Sequence, residues 1–67
     1  MSKRVKIIAN ASVENKNNKK ENLISIGKVY EIYSEIITEK MFSGKCYIIK
    51  ANDGTFHGLD SDYFDII

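Results

Sequence analysis

His57 and Cys46 are the only histidine and the only cysteine in the chain, so catalytic or metal chemistry would have to be built around them. Imidazole changes charge near neutral pH, and His57 placed against Asp60 or Asp62 is the one pairing with general-base character. A lone histidine on a strand beside a glycine is more often a surface or partner-contact residue. Cys46 has no basic cluster beside it in sequence to depress its thiol, which reads as a structural sulfur rather than a nucleophile. One cysteine and one histidine cannot fill a tetrahedral zinc site with the usual nitrogen and sulfur ligands. Asp60 and Asp62 straddle Ser61, but two carboxylates without a longer oxygen-rich loop make a poor calcium site. Capping of a helical turn accounts for them better. No Gly-rich phosphate loop is present. The chemistry-bearing residues therefore point to a protein that binds rather than catalyses, with no catalytic residue, metal or cofactor assigned.

Two surfaces are candidates for that binding. Aromatic side chains anchor many protein interfaces, and Tyr33, Phe42 and Tyr63 join His57 as ring residues left partly outside a core. Phe42, beside Met41 in a connection, is the best exposed anchor. Asp60 and Asp62 supply an acidic rim that would steer this surface toward a basic partner. These six residues form the expected protein-binding site. Charge distribution carries the second candidate. The chain has a net charge of +1, yet residues 1–20 carry six of the basic side chains and one acid, whereas residues 52–67 carry four aspartates and no Lys or Arg. Lys3, Arg4, Lys6, Lys16, Lys19 and Lys20 are thus an alternative nucleic-acid-binding set reaching for phosphates, although a near-neutral chain with few interleaved aromatics fits this reading less well.

The elements that must position these residues are strands. Val5, Ile7 and Ile8 are β-branched with no helical period, which predicts a first strand over Lys3 to Asn10. Residues 11–22 interleave asparagines with Lys16, Lys19 and Lys20, offer little to bury, and are expected to form a mobile loop. Leu23 to Lys28 approaches a tight bend at Gly27, where positive φ is free of strain. Lys28 to Ile37 is the longest expected strand, with Tyr30, Ile32 and Ser34 on one face and Val29, Glu31, Tyr33 and Glu35 on the wetter other face. Thr38 to Lys45 is a connection around Ser43 and Gly44. Cys46 to Ala51 follows as a strand with Tyr47 and Ile49 turned inward, and Cys46 is expected at the wetter face or under the rim. Asp53-Gly54 is the strongest local signal, since a tight hairpin needs positive φ. Thr55 to Gly58 pairs back, with Gly58 marking a close approach between strands. Asp60 or Ser61 caps a single 3-10 turn, and Phe64 to Ile67 closes the chain.

That order resembles an SH3-like barrel. The stretch Leu23-x-x-Ile26-Gly27-Lys28-Val29-Tyr30-Glu31-Ile32 is similar to the opening of the second strand in small barrels from phages, prophages and low-GC bacteria. Tyr47-x-Ile49-x-x-Asn52-Asp53-Gly54 resembles their third strand and distal hairpin, and Ser61-Asp62-Tyr63-Phe64 their closing turn. The resemblance implies an all-β, five-stranded SH3-like barrel with a single 3-10 turn before the last strand. It also implies an accessory role, docking on and modulating a host protein. The aromatic groove by which eukaryotic SH3 domains read Pro-rich peptides is not carried over. The chain has no tryptophan, its first strand has no tyrosine, and only Tyr63 matches that groove.

Length bounds the rest. Sixty-seven residues are expected to form one domain, residues 1–67, of marginal stability. With a single cysteine no intrachain disulfide can form, so eleven isoleucines, four tyrosines and three phenylalanines must supply the core. No apolar run suits a signal peptide or a membrane span, and a free thiol favours a reducing cytoplasm, that of the bacterial host if the chain is phage-encoded. Exposed strand edges would permit a homodimer.

Overall fold

The computed structural model describes residues 4–67. It is all-β, with the strands β1 (Lys6–Ala9), β2 (Val13–Glu14), β3 (Asn22–Ile24), β4 (Val29–Ile37), β5 (Lys45–Lys50), β6 (Phe56–Asp60) and β7 (Phe64–Ile66). One 3-10 turn, Ser61–Tyr63, separates β6 from β7. Five strands form an antiparallel sheet in the order β6-β5-β4-β1-β7, while β2 and β3 pair as a separate two-stranded ribbon. The long strand β4 explains this shape. Its first half pairs with β1 through Tyr30↔Ile7, and its second half pairs with β5 from Ile32↔Ile49 onward. The two halves therefore serve different neighbours, and β1 and β5 splay apart around it. Among the described residues β6 and β7 are unpaired on their outer sides, so the sheet does not close.

Three glycines take the positive φ that their turns require, two of them at the predicted bends. Gly27 (φ 83°) donates to Ala9 O at 2.8 Å, and Gly54 (φ 84°) donates to Ala51 O at 3.0 Å in the β5–β6 hairpin. The core holds Ile7, Ile24 and Ile49 with no measurable exposure. Each contributes roughly 1.5–3 kcal/mol of burial. Phe64 packs edge-on against Tyr30, with centroids 6.1 Å apart, and at a tilt against Tyr47 at 6.2 Å. Tyr30, Tyr47 and Ile49 thus face inward as their spacing predicts.

Several expectations are corrected. Described strand pairing in the first strand begins at Lys6, and Lys3 lies outside the described residues. Residues 11–22 are not a plain loop, because Val13 pairs with Ile24 and Glu14 with Asn22. The reason is Asn15, which is buried. Its Oδ1 accepts from Asn17 N at 2.9 Å, and its Nδ2 donates to Glu21 Oε1 at 3.3 Å and to Asp53 Oδ2 at 3.4 Å. A side chain that satisfies its own turn can be buried without apolar company. The inward–outward alternation on β4 breaks at Tyr33. Ile32 opposes Ile49, but Ser34 already opposes Ile48, so Tyr33 is an extra residue in a bulge. Ser34 consequently leaves the face of Tyr30 and becomes exposed. Of the two places expected for Cys46, the wetter face is excluded, because the residue is buried. β6 runs on to Asp60, past the predicted end at Gly58.

Candidate functional site

Ser43 joins two of the predicted binding elements. Its N–H donates to Asp60 Oδ2 at 3.3 Å, and its hydroxyl lies 2.7 Å from that of Ser61. Because Ser43 Oγ gives its one proton to Lys45 O at 2.9 Å, Ser61 is the donor of this pair. The β4–β5 connection is further closed by Thr38 N to Gly44 O at 2.9 Å and Gly44 N to Met41 O at 3.0 Å. Phe42, 94% exposed, therefore stands on a pinned loop beside the acidic cap. Asp60 accepts from Asp62 N at 3.0 Å, which identifies it, rather than Ser61, as the cap of the 3-10 turn. That amide, assisted by Ser43, holds the Asp60 carboxyl below its ordinary pKa. Asp62 is exposed and Tyr63 follows it in the same turn, with its ring partly exposed.

His57 lies elsewhere and has other partners than those expected from sequence. It faces Asp53 Oδ2 at 3.5 Å and Thr55 Oγ1 at 2.6 Å, not Asp60 or Asp62. Thr55 donates its hydroxyl proton to Asp53 Oδ1 at 2.6 Å, and this bond is the main reason the Asp53 carboxyl sits below its usual range. The hydroxyl oxygen is then left to accept, so the proton between the two residues is assigned to His57 Nε2. Activation of a hydroxyl nucleophile needs the opposite polarity, with the histidine accepting. His57 also lines a groove of about 410 Å³ between β6 and the β2–β3 ribbon, with Val13, Leu23 and Leu59 as its apolar wall.

Tyr33 occupies a third position, on the outer face of the sheet. Arg4 lies 4.2 Å from its ring centroid, and Phe56 packs edge-on at 4.9 Å. Beside this cluster, where β4 parts from β5, opens a cleft of about 350 Å³ bordered by Lys6, Lys28 and Lys50. The basic residues expected to act together are thereby divided. Arg4 and Lys6 belong to the sheet face, while Lys16, Lys19 and Lys20 are exposed on the β2–β3 ribbon. Among the described residues, no group of three or more His, Cys, Asp or Glu side chains is placed to hold a metal ion. No helix among the described residues is long and apolar enough to cross a membrane.

No family model, curated protein or solved structure matches the chain. The site is therefore read from its own geometry.

The six residues expected to form one protein-binding surface fall into three places: Phe42 with the Asp60–Tyr63 turn, His57 at the groove, and Tyr33 on the sheet face. Sequence reasoning missed Phe56, Lys28 and Lys50 as partners of Tyr33. A two-residue turn at Asp53-Gly54 would set Lys50 across from His57; the turn instead spans Asn52 to Gly54, and this one-residue shift sets Lys50 directly across from Phe56. Ser43, which ties Phe42 to the cap, left no signal in sequence, because only a long-range contact makes it informative.

Proposed function

We propose that the chain is a non-enzymatic binding module on an SH3-like scaffold, docking on a protein through Phe42 and the acidic turn beside it. The element order and the return of the last strand to β1 support the SH3-like reading, even though the sheet stays open. The observation that carries the docking surface is the near-complete exposure of Phe42 on a loop fixed by Ser43 to Asp60 and Ser61. An aromatic ring left in water contributes almost no burial to folding. Presented on a fixed loop, it loses little conformational freedom on binding, so more of its burial appears as affinity.

Asp60 and Asp62 next to this anchor favour a partner with a basic patch. The resemblance to small barrels of phages, prophages and low-GC bacteria supports an accessory role, in which the partner is a host protein whose activity is modulated by docking. Affinity capture from bacterial cytosol tests this with the wild-type chain, Phe42→Ala and Asp62→Lys. Loss of a captured protein in both variants supports the proposed surface. A captured set that neither variant alters removes it.

A further inference from the structure

We propose that a second surface, the outer face of the sheet around Tyr33 and Phe56, binds single-stranded nucleic acid. Four cations gather there. Lys6, Lys28 and Lys50 border the cleft at the splay of β4 and β5, and Arg4 lies over Tyr33. Among the described residues, the ion pairs are Lys45 with Glu35 and His57 with Asp53, so none of these four cations is spent on a carboxylate. Lys28 instead donates to Asn52 Oδ1 at 2.8 Å. Glu31 is the sole acid lining the cleft, directly across from Lys6 on β1. Asp65, on β7, is separated from β4 by β1 and pairs with Ile8.

The apolar partners decide the class of ligand. Phe56 is 57% exposed and Tyr33 40%, and Phe56 sits directly across from Lys50. A chain of carboxylates would meet the lysines but leave the rings in water. A single strand of nucleic acid supplies both partners, with phosphates for the cations and unpaired bases to stack on Phe56 and on the exposed plane of Arg4. A duplex buries its bases in the stack and is read through a helix or ribbon lying in a groove, and no helix rises from this face.

The sheet face shares no residue with the docking surface formed by Phe42 and the acidic turn, and nucleic acid binding there needs no protein partner. Fluorescence anisotropy with a labelled single-stranded oligonucleotide of mixed sequence, about 16 nucleotides long, measures it on the whole chain. Between about 50 and 200 mM salt, the log of affinity against log salt should fall with a slope of about −3 if all four cations engage phosphates. Lys50→Ala should bring that slope to about −2. Phe56→Ala should weaken binding about 5- to 150-fold while leaving the slope unchanged. Phe56→Leu retains apolar bulk against Tyr33 and should lose a comparable factor if stacking is the cause, with circular dichroism confirming that both variants are folded. The triple variant Lys16→Ala, Lys19→Ala, Lys20→Ala should bind as the wild type does. Absence of binding at about 50 mM salt would overturn the proposal. So would equal affinity for duplex, equal affinity for polyglutamate, insensitivity to Phe56→Ala, or loss of binding in the triple variant.

Discussion

The phenol of Tyr30 donates to Asn52 Oδ1 at 2.8 Å, and through this bond the start of β4 is fastened to the end of the β5–β6 hairpin. Tyr30 Oη also accepts from Ser25 N at 2.9 Å. Asn52 Nδ2 donates to Asn22 O and Ser25 Oγ, both at 3.0 Å, and Asn52 N donates to Leu23 O at 2.9 Å. One amide side chain thus joins β3, the Gly27 bend and the hairpin. Removing a hydrogen-bond partner from a partly buried network costs about 1–3 kcal/mol. Asn52→Ala should lower the free energy of unfolding in urea by about 2–3 kcal/mol and Tyr30→Phe by about 1 kcal/mol. The double variant should lose less than the sum, because both changes break the same bond.

Asn15 performs a similar task for the β2–β3 ribbon, with its carbonyl and amide both engaged inside residues 15–21 and a further bond to Asp53. Asn15→Ala leaves the amide of Asn17 and the carboxylate of Glu21 without it. Hydrogen exchange should accelerate at residues 16–21 while protection of β4 and β5 is retained, since local opening of a ribbon need not involve the sheet. Equal acceleration throughout would mean that the ribbon and the sheet unfold together.

The outline of this fold was legible because its signals are local. Asp53-Gly54 and Gly27 specify turns by backbone sterics alone, and the alternation of Tyr47 and Ile49 specifies a buried face by parity. What escaped was set by contacts distant in sequence. Asn15 reads as a solvated loop residue until Asp53, on another hairpin, is placed against it. The bulge at Tyr33 carries no glycine or other marker, and it shifts every residue beyond it relative to the expected faces. For the candidate sites, residue types were readable: Phe42, Asp60 and Asp62 were singled out, and the structure brings their elements together. Their division from Tyr33 and His57 was not readable, because it depends on which strands are neighbours.

Cys46 sits on β5 opposite Asp60 of β6, and a Cβ added at Gly58 would meet its sulfur at 3.6 Å and Ile48 Cδ1 at 3.0 Å. Only 5% of the residue is exposed. A thiol reagent should therefore react with it at the rate of chain opening, slowly in buffer and at once in denaturing urea. Gly58→Ala forces Ile48 to give way over the sulfur. A surface strand gains little from alanine there, so this variant should lower the urea midpoint and speed thiol modification together. Fast labelling of the wild-type chain in buffer would contradict the burial.

Acid should weaken the fold through Asp60 and Asp53. Each carboxylate is held below its ordinary pKa, Asp60 chiefly by the amide of Asp62 and then by Ser43, Asp53 chiefly by the Thr55 hydroxyl. A carboxyl with a depressed folded-state pKa is protonated more readily in the unfolded chain. Its contribution is fully present above the ordinary carboxylate value of about 4 and is lost as pH falls through the lower folded value. The urea midpoint should thus drop between about pH 5 and pH 2. Asp60→Asn keeps an oxygen that can accept from Asp62 N but cannot ionise and loses the oxygen that accepts from Ser43 N, so it should lower the midpoint at neutral pH and flatten part of this acid limb. Asp60→Ala also removes the cap and should lower the midpoint at neutral pH as well. Asp53→Asn combined with Asp60→Asn should flatten the limb further than either alone. A limb as steep in the double variant as in the wild type would assign the acid sensitivity to other carboxylates.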